Sequence, residues 1–229
     1  MDQGQLFVVG TPIGNLNDMT FRAIEILRQC PIIACEDRRV SSHLLQHFGI
    51  GGTLIPYHDK NEQFQTEYLI QKLGEGISAA IICDAGTPTI SDPGFRIVRE
   101  CKRNHINVIP IPGACAVTAA LSASGLPTNS FLFLGFPGHR EAMRIKILEK
   151  YISSEVTLIF YESCHRIEKF LNNIFHIYGS NRTVSLCKEL TKIHETILTA
   201  PIGEILKKIK NLALRGEFSV LIAPQNYAL

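Results

Sequence analysis

The stretch AAIICDAGTPTISDPG, residues 79–94, decides how the chain is read. Its first five residues are uninterruptedly apolar, the pattern of a strand buried on both faces, as in a parallel sheet. The rest is a loop of small residues, two aspartates and two prolines, with no lysine or arginine. Gly86 and Gly94 permit close backbone approach or positive φ, and Pro88 and Pro93 stiffen the path. Backbone amides in such a loop hold polar ligand groups without a side-chain cation. Asp84, at the strand end, can accept from an amine or hydroxyl. Asp92 either faces a ligand or caps a helix opening near Phe95, and the cap is the favoured reading.

Working outward, LFVV (6–9), PIIAC (31–35), TLIPY (53–57) and NVIPI (107–111) repeat the apolar strand pattern. Helical patterns lie between them. One is capped by Asp18 and runs through Cys30, with Phe21, Ile24 and Leu27 on one side. SSHLLQHF (41–48) stops at Gly49, and NEQFQTEYLIQKLGEG (61–76) and FRIVRECKRN (95–104) follow. This alternation predicts a mostly parallel sheet with helices on both faces. LSASGLPTNS (121–130) is the candidate hinge, dividing an N-terminal α/β domain, 1–124, from a C-terminal one, 125–229. In the second, FLFLG (131–135), VTLIF (156–160), TVSLC (183–187), ETIL (195–198) and FSVLIA (218–223) read as strands. Helices through EAMRIKILEKY, CHRIEKFLNNIFHIY and IGEILKKIKNLA separate some of them, and the short connections predict a mixed sheet. The fold class is therefore two α/β domains, with a ligand expected in a cleft between them.

With 45% hydrophobic and 19% charged residues, the chain has the composition of a soluble globular protein. No apolar run approaches the roughly 20 residues that span a bilayer, and the N-terminus lacks the basic and apolar regions of a signal peptide. No membrane association and a cytoplasmic location are expected. Seven cysteines without a C-x-x-C pair point to reduced, buried thiols, with neither a disulfide framework nor a metal site. The net charge of +2 is unevenly spread. Residues 1–130 hold 10 Lys+Arg against 12 Asp+Glu, or −2, whereas residues 131–229 hold 13 against 9, or +4. The second half is the better candidate for an acidic partner such as RNA. The run Lys207–Lys210 reads instead as the solvated face of an amphipathic helix.

Ligands of open α/β sheets bind beyond the carboxyl ends of the strands. Four loops leave the first-half strands at that edge: GTPIGN (10–15), EDRR (36–39), the 84–94 loop and PGACA (112–116). GTPIGN is not a phosphate loop of the G-x-x-x-x-G-K-[ST] kind, because no lysine follows its glycines, and it misses G-x-G-x-x-G.

The ordered motifs VGTPIGNLNDMT, EDRR, CDAGTPTISDPG, IPGACA, FYESCHRI, KELTKIHET and RGEFSVLI cover nearly the whole chain. This set resembles the small-subunit ribosomal RNA branch of the tetrapyrrole-methylase class of S-adenosylmethionine-dependent methyltransferases. The resemblance implies two α/β domains and a homodimer, with S-adenosyl-L-methionine in the interdomain cleft. It also implies 2′-O-methylation of a cytidine ribose in the decoding centre of bacterial 16S small-subunit rRNA, within the assembled small ribosomal subunit, and no action on DNA. Carried over by position, the cofactor contacts are Gly10, Thr11, Pro12, Asp84, Ala85, Gly86, Thr87, Pro88, Ile90, Ser91, Gly113, Ala114, Cys115, Phe160 and Tyr161. Asn15, Arg39, His165 and Arg166 are the candidate RNA contacts. Three departures stand out: Arg38 replaces a usual threonine, Ala114 a common proline, and PGHREAMR after Phe136 is shorter than its counterparts.

The loop chemistry agrees with that cofactor, which carries a sulfonium, an ammonium and a carboxylate but no phosphate. A ribose 2′-hydroxyl attacks well only once its proton leaves, and a base would contribute roughly 10²–10⁴-fold. The candidates are Asp37, Glu36, Glu162, Glu189 and Lys192, with no choice among them. Each has a salt bridge or cap as its ordinary alternative, and Lys192 would need a lowered pKa. Arg166 can hold a phosphate or pair with Glu162 at i,i+4, and His165 can do the former or start a helix. Two other readings remain: a tetrapyrrole methyltransferase of the same fold, and a nucleotide- or RNA-binding module without catalysis.

Overall fold

The computed structural model describes residues 3–229. The chain packs as two units, one ending at Cys115 and the other spanning Ala116–Leu229. In the first, β1 (Leu6–Val9), α1 (Phe21–Gln29), β2 (Ile32–Cys35), α2 (Arg38–His47), β3 (Thr53–Pro56), α3 (Glu62–Gly74), β4 (Ala79–Ile81), α4 (Phe95–Arg103) and β5 (Val108–Ile111) alternate. All five strands are parallel, in the order β3-β2-β4-β1-β5. Successive residues point to opposite faces. Leu6, Ile32, Ala34, Ala79 and Ile81 therefore pack with Leu69, Leu73, Ile97 and Cys101 of α3 and α4. Val9, Ile33, Cys35, Ala80 and Ile82 pack with Ala23, Leu27 and Leu45 of α1 and α2. Burial on both faces is why these strands read as unbroken apolar runs.

Two expected helix starts are displaced. α1 is capped by Thr20, whose side chain accepts from the Ala23 N–H, while Asp18 ends a short 3₁₀ turn over Leu16–Asp18. Asp92 does not cap α4. Its N-cap is Gly94, with φ 131°, which makes no side-chain cap.

The second unit opens with α5 (Ala116–Ala123), a helix that its short, uncharged and alanine-rich sequence AVTAALSA did not announce. There follow β6 (Phe131–Phe133), α6 (Glu141–Lys150), β7 (Thr157–Ser163), α7 (Ile167–Tyr178), β8 (Thr183–Lys188), β9 (Thr196–Pro201), α8 (Ile202–Lys208) and β10 (Glu217–Ile222). The sheet order is β6-β7-β10-β8-β9. Only β6 and β7 are parallel to each other, and the other neighbours pair antiparallel. One face packs Leu158, Phe160, Val184, Leu186, Phe218 and Val220 against α6, α7 and α8. The division between the units falls ahead of α5. The Ser/Gly/Pro-rich stretch expected as a hinge lies inside the second unit, where Gly125 O accepts from the Tyr227 hydroxyl at 2.6 Å.

Candidate functional site

At the carboxyl edge of the first sheet, β1 and β4 are neighbours whose chains leave for opposite faces, toward α1 and α4. Such a parting opens a crevice where ligands of these sheets bind. The loops there are tied together by backbone. Thr11 N–H donates to Gly86 O at 2.8 Å, and Gly86 N–H returns to Thr11 O at 3.2 Å. The Thr11 hydroxyl, 1% exposed, donates to Cys83 O and Gly86 O, both at 3.2 Å. Thr87 Oγ1 donates to Ala114 O at 3.0 Å, bringing in the loop after β5. Gly10 and Gly113 touch through bare backbone: a Cβ on Gly10 would lie 2.8 Å from the Gly113 Cα and N.

The 84–94 loop is bent tightly. Gly86 has φ 96°, and Thr89 and Ser91 adopt the left-handed region at φ 75° and 66°. A β-branched residue rarely sits there, and such strain concentrates at binding sites. Ala85, Ile90 and Ser91 are exposed, whereas Pro12 and Pro88 are buried and shape the loops from beneath. Cys115 is half-buried.

Three carboxylates share this edge. Asp84 Oδ1 accepts from the Asp37 N–H at 3.0 Å, and Asp37 Oδ1 caps α2 by accepting from the Arg39 N–H at 2.7 Å. Burial, followed by the Asp84 charge, pushes the Glu36 carboxyl above its ordinary value. Asp84 is also raised, chiefly by burial, with the Asp37 N–H acting against the shift and the Asp37 charge with it. The Arg39 side chain is 92% exposed and reaches Asp37 only at 3.9 Å. Asn15 caps the 3₁₀ turn by accepting from the Asn17 N–H at 3.0 Å.

The remaining sequence-predicted residues belong to the second unit and gather where β7 and β8 end and β10 begins. Glu162 and Lys188 both lie opposite Phe218. Glu162 is 2% exposed; its Oε1 accepts from Arg166 Nε and the Ser163 N–H, each at 2.8 Å, and its Oε2 has no hydrogen-bond partner. Arg166 is thus paired with Glu162, and His165 beside it is exposed. Lys192 Nζ bridges Glu189 and Glu217, at 2.9 Å each. Burial acts to lower the Lys192 pKa, but its bonds to Glu217 and Glu189 outweigh this and the net shift is upward. The lowered value that a Lys192 base would need is thus opposed by its two carboxylate partners. Glu189 shifts downward, because Lys192 and the Glu217 N–H overcome the opposing effect of burial. Glu217 was not anticipated, and neither was Gly216, on which a Cβ would collide with the Glu189 carboxylate. The Phe160 side chain is fully buried in the core, edge-on to Phe170, which leaves only its backbone for a cofactor contact.

Gathered this way, the first-unit loops bring bare backbone and three carboxylates to one edge, in a fold of two α/β sheets. This combination defines a class. The model of the tetrapyrrole (corrin/porphyrin) methylases matches residues 5–206. Solved structures similar to this chain include a diphthine synthase (TM-score 0.75, 14% identity, covering 96% of this chain and 90% of that one). Another is a cobalamin biosynthetic enzyme, cobalt precorrin-4 methyltransferase (TM-score 0.69, 15% identity, covering 96% and 94%). At those identities the likeness is one of fold. Curated relatives are nearer in sequence. The ribosomal RNA small subunit methyltransferase I of Escherichia coli O157:H7 is 49% identical over 91% of this chain and 73% of that protein. Those of Halalkalibacterium halodurans (45%, over 96% and 76%) and Vibrio cholerae (47%, over 95% and 76%) are similar. The chain belongs to the tetrapyrrole methylase family and, within it, to the ribosomal RNA small subunit methyltransferase I branch.

Proposed function

We propose that this protein transfers a methyl group from S-adenosyl-L-methionine to the 2′-hydroxyl of a cytidine in the decoding centre of 16S small-subunit rRNA, acting as a cytoplasmic homodimer on the assembled small subunit. The observation that carries the methyl-donor reading is the tied set of loops after β1, β4 and β5. They offer close backbone and the Asp84 carboxylate, and neither the 84–94 loop nor the 112–116 loop holds a cation. That donor set fits a ligand with a sulfonium and an ammonium and no phosphate. Gly10, Thr11, Gly86, Thr87, Gly113 and Ala114 would hold it by backbone, with Asp84 facing its positive or hydroxyl groups. When bound, the cofactor supplies an electrophilic methyl group. The RNA substrate is supported by the names of the relatives.

The protein's own contribution is to hold the acceptor in line and take its proton. Among the candidate bases, Glu36 suits this best. It is half-buried with a raised pKa, and a base works most effectively when its pKa lies near the working pH. Asp37 is engaged as a cap, Glu162 is paired with Arg166, and Glu189 is shifted the wrong way.

The test is incubation with methyl-labelled S-adenosylmethionine and small ribosomal subunits, followed by nucleoside mass spectrometry. Labelled 2′-O-methylcytidine is expected, and a base-methylated nucleoside would overturn the 2′-O assignment. The family model and the cobalt precorrin-4 neighbour favour a second reading, a tetrapyrrole acceptor. It requires label on a porphyrinoid in the absence of RNA.

A further inference from the structure

Phe136 follows β6 in the segment GFPGHR and is 54% exposed. An exposed phenylalanine at a loop tip is ordinarily free to turn, but this one is held. Its ring stands edge-on to Tyr161 at 5.8 Å, and Tyr161 stands edge-on to Phe133 at 4.8 Å. The Tyr161 N–H donates to Gly135 O at 3.0 Å, which ties the segment to β7. From below, the 3%-exposed Arg144 of α6 donates to His139 O at 2.9 Å and Gly138 O at 3.4 Å, and to Asn173 of α7 at 3.1 Å. Gly135 and Gly138 take φ 63° and 110°, and a Cβ on Gly138 would lie 2.9 Å from the Met143 Cβ.

Burying a guanidinium is costly unless its donors are satisfied. Here that cost fixes a short loop whose large exposed apolar side chain is an aromatic ring. Beside it His139 and Arg140 are exposed, and Arg140 has no ion-pair partner among the described residues. A rigid aromatic face next to a free guanidinium is what an unpaired nucleobase and its phosphate use: the ring stacks on the base and the cation meets the backbone. The unit that carries it holds 13 Lys+Arg against 9 Asp+Glu.

We infer that Phe136, backed by Tyr161, is a stacking shelf for one unpaired base of the RNA substrate, with Arg140 at an adjoining phosphate. This rests on the RNA reading above. It assigns a role to the shortened segment after Phe136, which lacks the longer lysine-bearing stretch and would hold RNA by stacking instead.

The test compares Phe136→Leu, Phe136→Trp and the unaltered protein for binding to purified small ribosomal subunits. S-adenosylmethionine affinity, melting temperature and molar mass by light scattering are measured in parallel. Phe136→Leu is expected to weaken subunit binding roughly 5- to 100-fold, the range spanned by stacking on one base. Phe136→Trp should keep it, and the other three readouts should not move. Subunit binding by Phe136→Leu within about twofold of the unaltered protein would overturn the shelf while leaving the RNA reading intact. A change in molar mass with Phe136→Leu would overturn it in favour of a contact between copies of the chain. An unaltered protein that binds no RNA would overturn both readings.

Discussion

Gly10 and Gly113 meet with no side chain between them, and everything at the crevice depends on how near the β1 and β5 loops can come. Gly10→Ala places a methyl 2.8 Å from backbone that cannot swing aside. It should destabilise the first unit by about 1–3 kcal/mol, the usual cost of overpacking, and weaken S-adenosylmethionine binding, with calorimetry and urea unfolding as the measurements. At the same edge, Glu36 and Asp84 hold their protons more tightly folded than unfolded. The stability these two groups contribute is therefore greatest below their ordinary values of 4.5 and 3.8 and is lost as pH rises through the raised folded-state values. Asp84→Asn keeps an oxygen for the Asp37 N–H and removes the charge. It should raise the melting temperature at pH 7 and lose that advantage by about pH 4, while cofactor affinity falls. Glu36→Gln should do the same for stability but abolish methylation, leaving cofactor binding intact. If Glu36 is the base, the unaltered enzyme's rate climbs as pH rises through the raised Glu36 value.

At the scale of elements, the connection from β8 to β9 is held by both backbone conformation and ion pairs. Glu189 and Thr191 lie in the left-handed region, at φ 50° and 66°, and Lys192 spans to Glu189 and Glu217. Gly216→Ala adds a Cβ at φ 90° where the Glu189 carboxylate sits. It should cost about 2 kcal/mol or more, seen as a lower denaturant midpoint. The sequence exposes this connection only in part. KELTKIHE shows that Glu189 and Lys192 are near each other, but their partner Glu217 is 25 residues further on. The same limit hides the Thr11–Gly86 tie, made between residues 75 apart. Local pattern did reveal the strands, because burial on both faces leaves an unbroken apolar run. It misplaced the start of α1 because Asp18 and Thr20 are equally good capping types, and only the 3₁₀ turn before Thr20 decides between them. It missed α5 because AVTAALSA carries no charge, and only Thr118 and Ser122 mark its exposed side among alanines. The loops of the candidate site were legible as small and cation-free. The side chains that face inward, such as Phe160, were not, because motif membership does not say which face of a strand a residue occupies.

For the molecule as a whole, the charge is divided between the units, with 10 Lys+Arg against 12 Asp+Glu up to Cys115 and 13 against 9 after it. RNA affinity should therefore fall steeply with salt, by roughly tenfold or more between 50 and 200 mM for several phosphate contacts. In the proposed reading S-adenosylmethionine is held by backbone and one edge of carboxylates, so its affinity should scarcely change. A filter-binding series in potassium chloride run beside cofactor calorimetry separates the two.

The strand order of the first sheet also bears on how the protein is made. β1 is interior to its sheet, between β4 and β5, yet it precedes both of them in the chain. Leu6 pairs with Ala79, 73 residues later, and with Val108, 102 residues later. At roughly 5–20 residues per second, β1 waits about 4–15 s for its first neighbour. During that time LFVV has two unpaired edges and an apolar face on each side, the hazard that chaperones exist to cover. A nascent chain stalled before residue 79 should accordingly be a holdase client, whereas one released past residue 111 should bury β1 and let go.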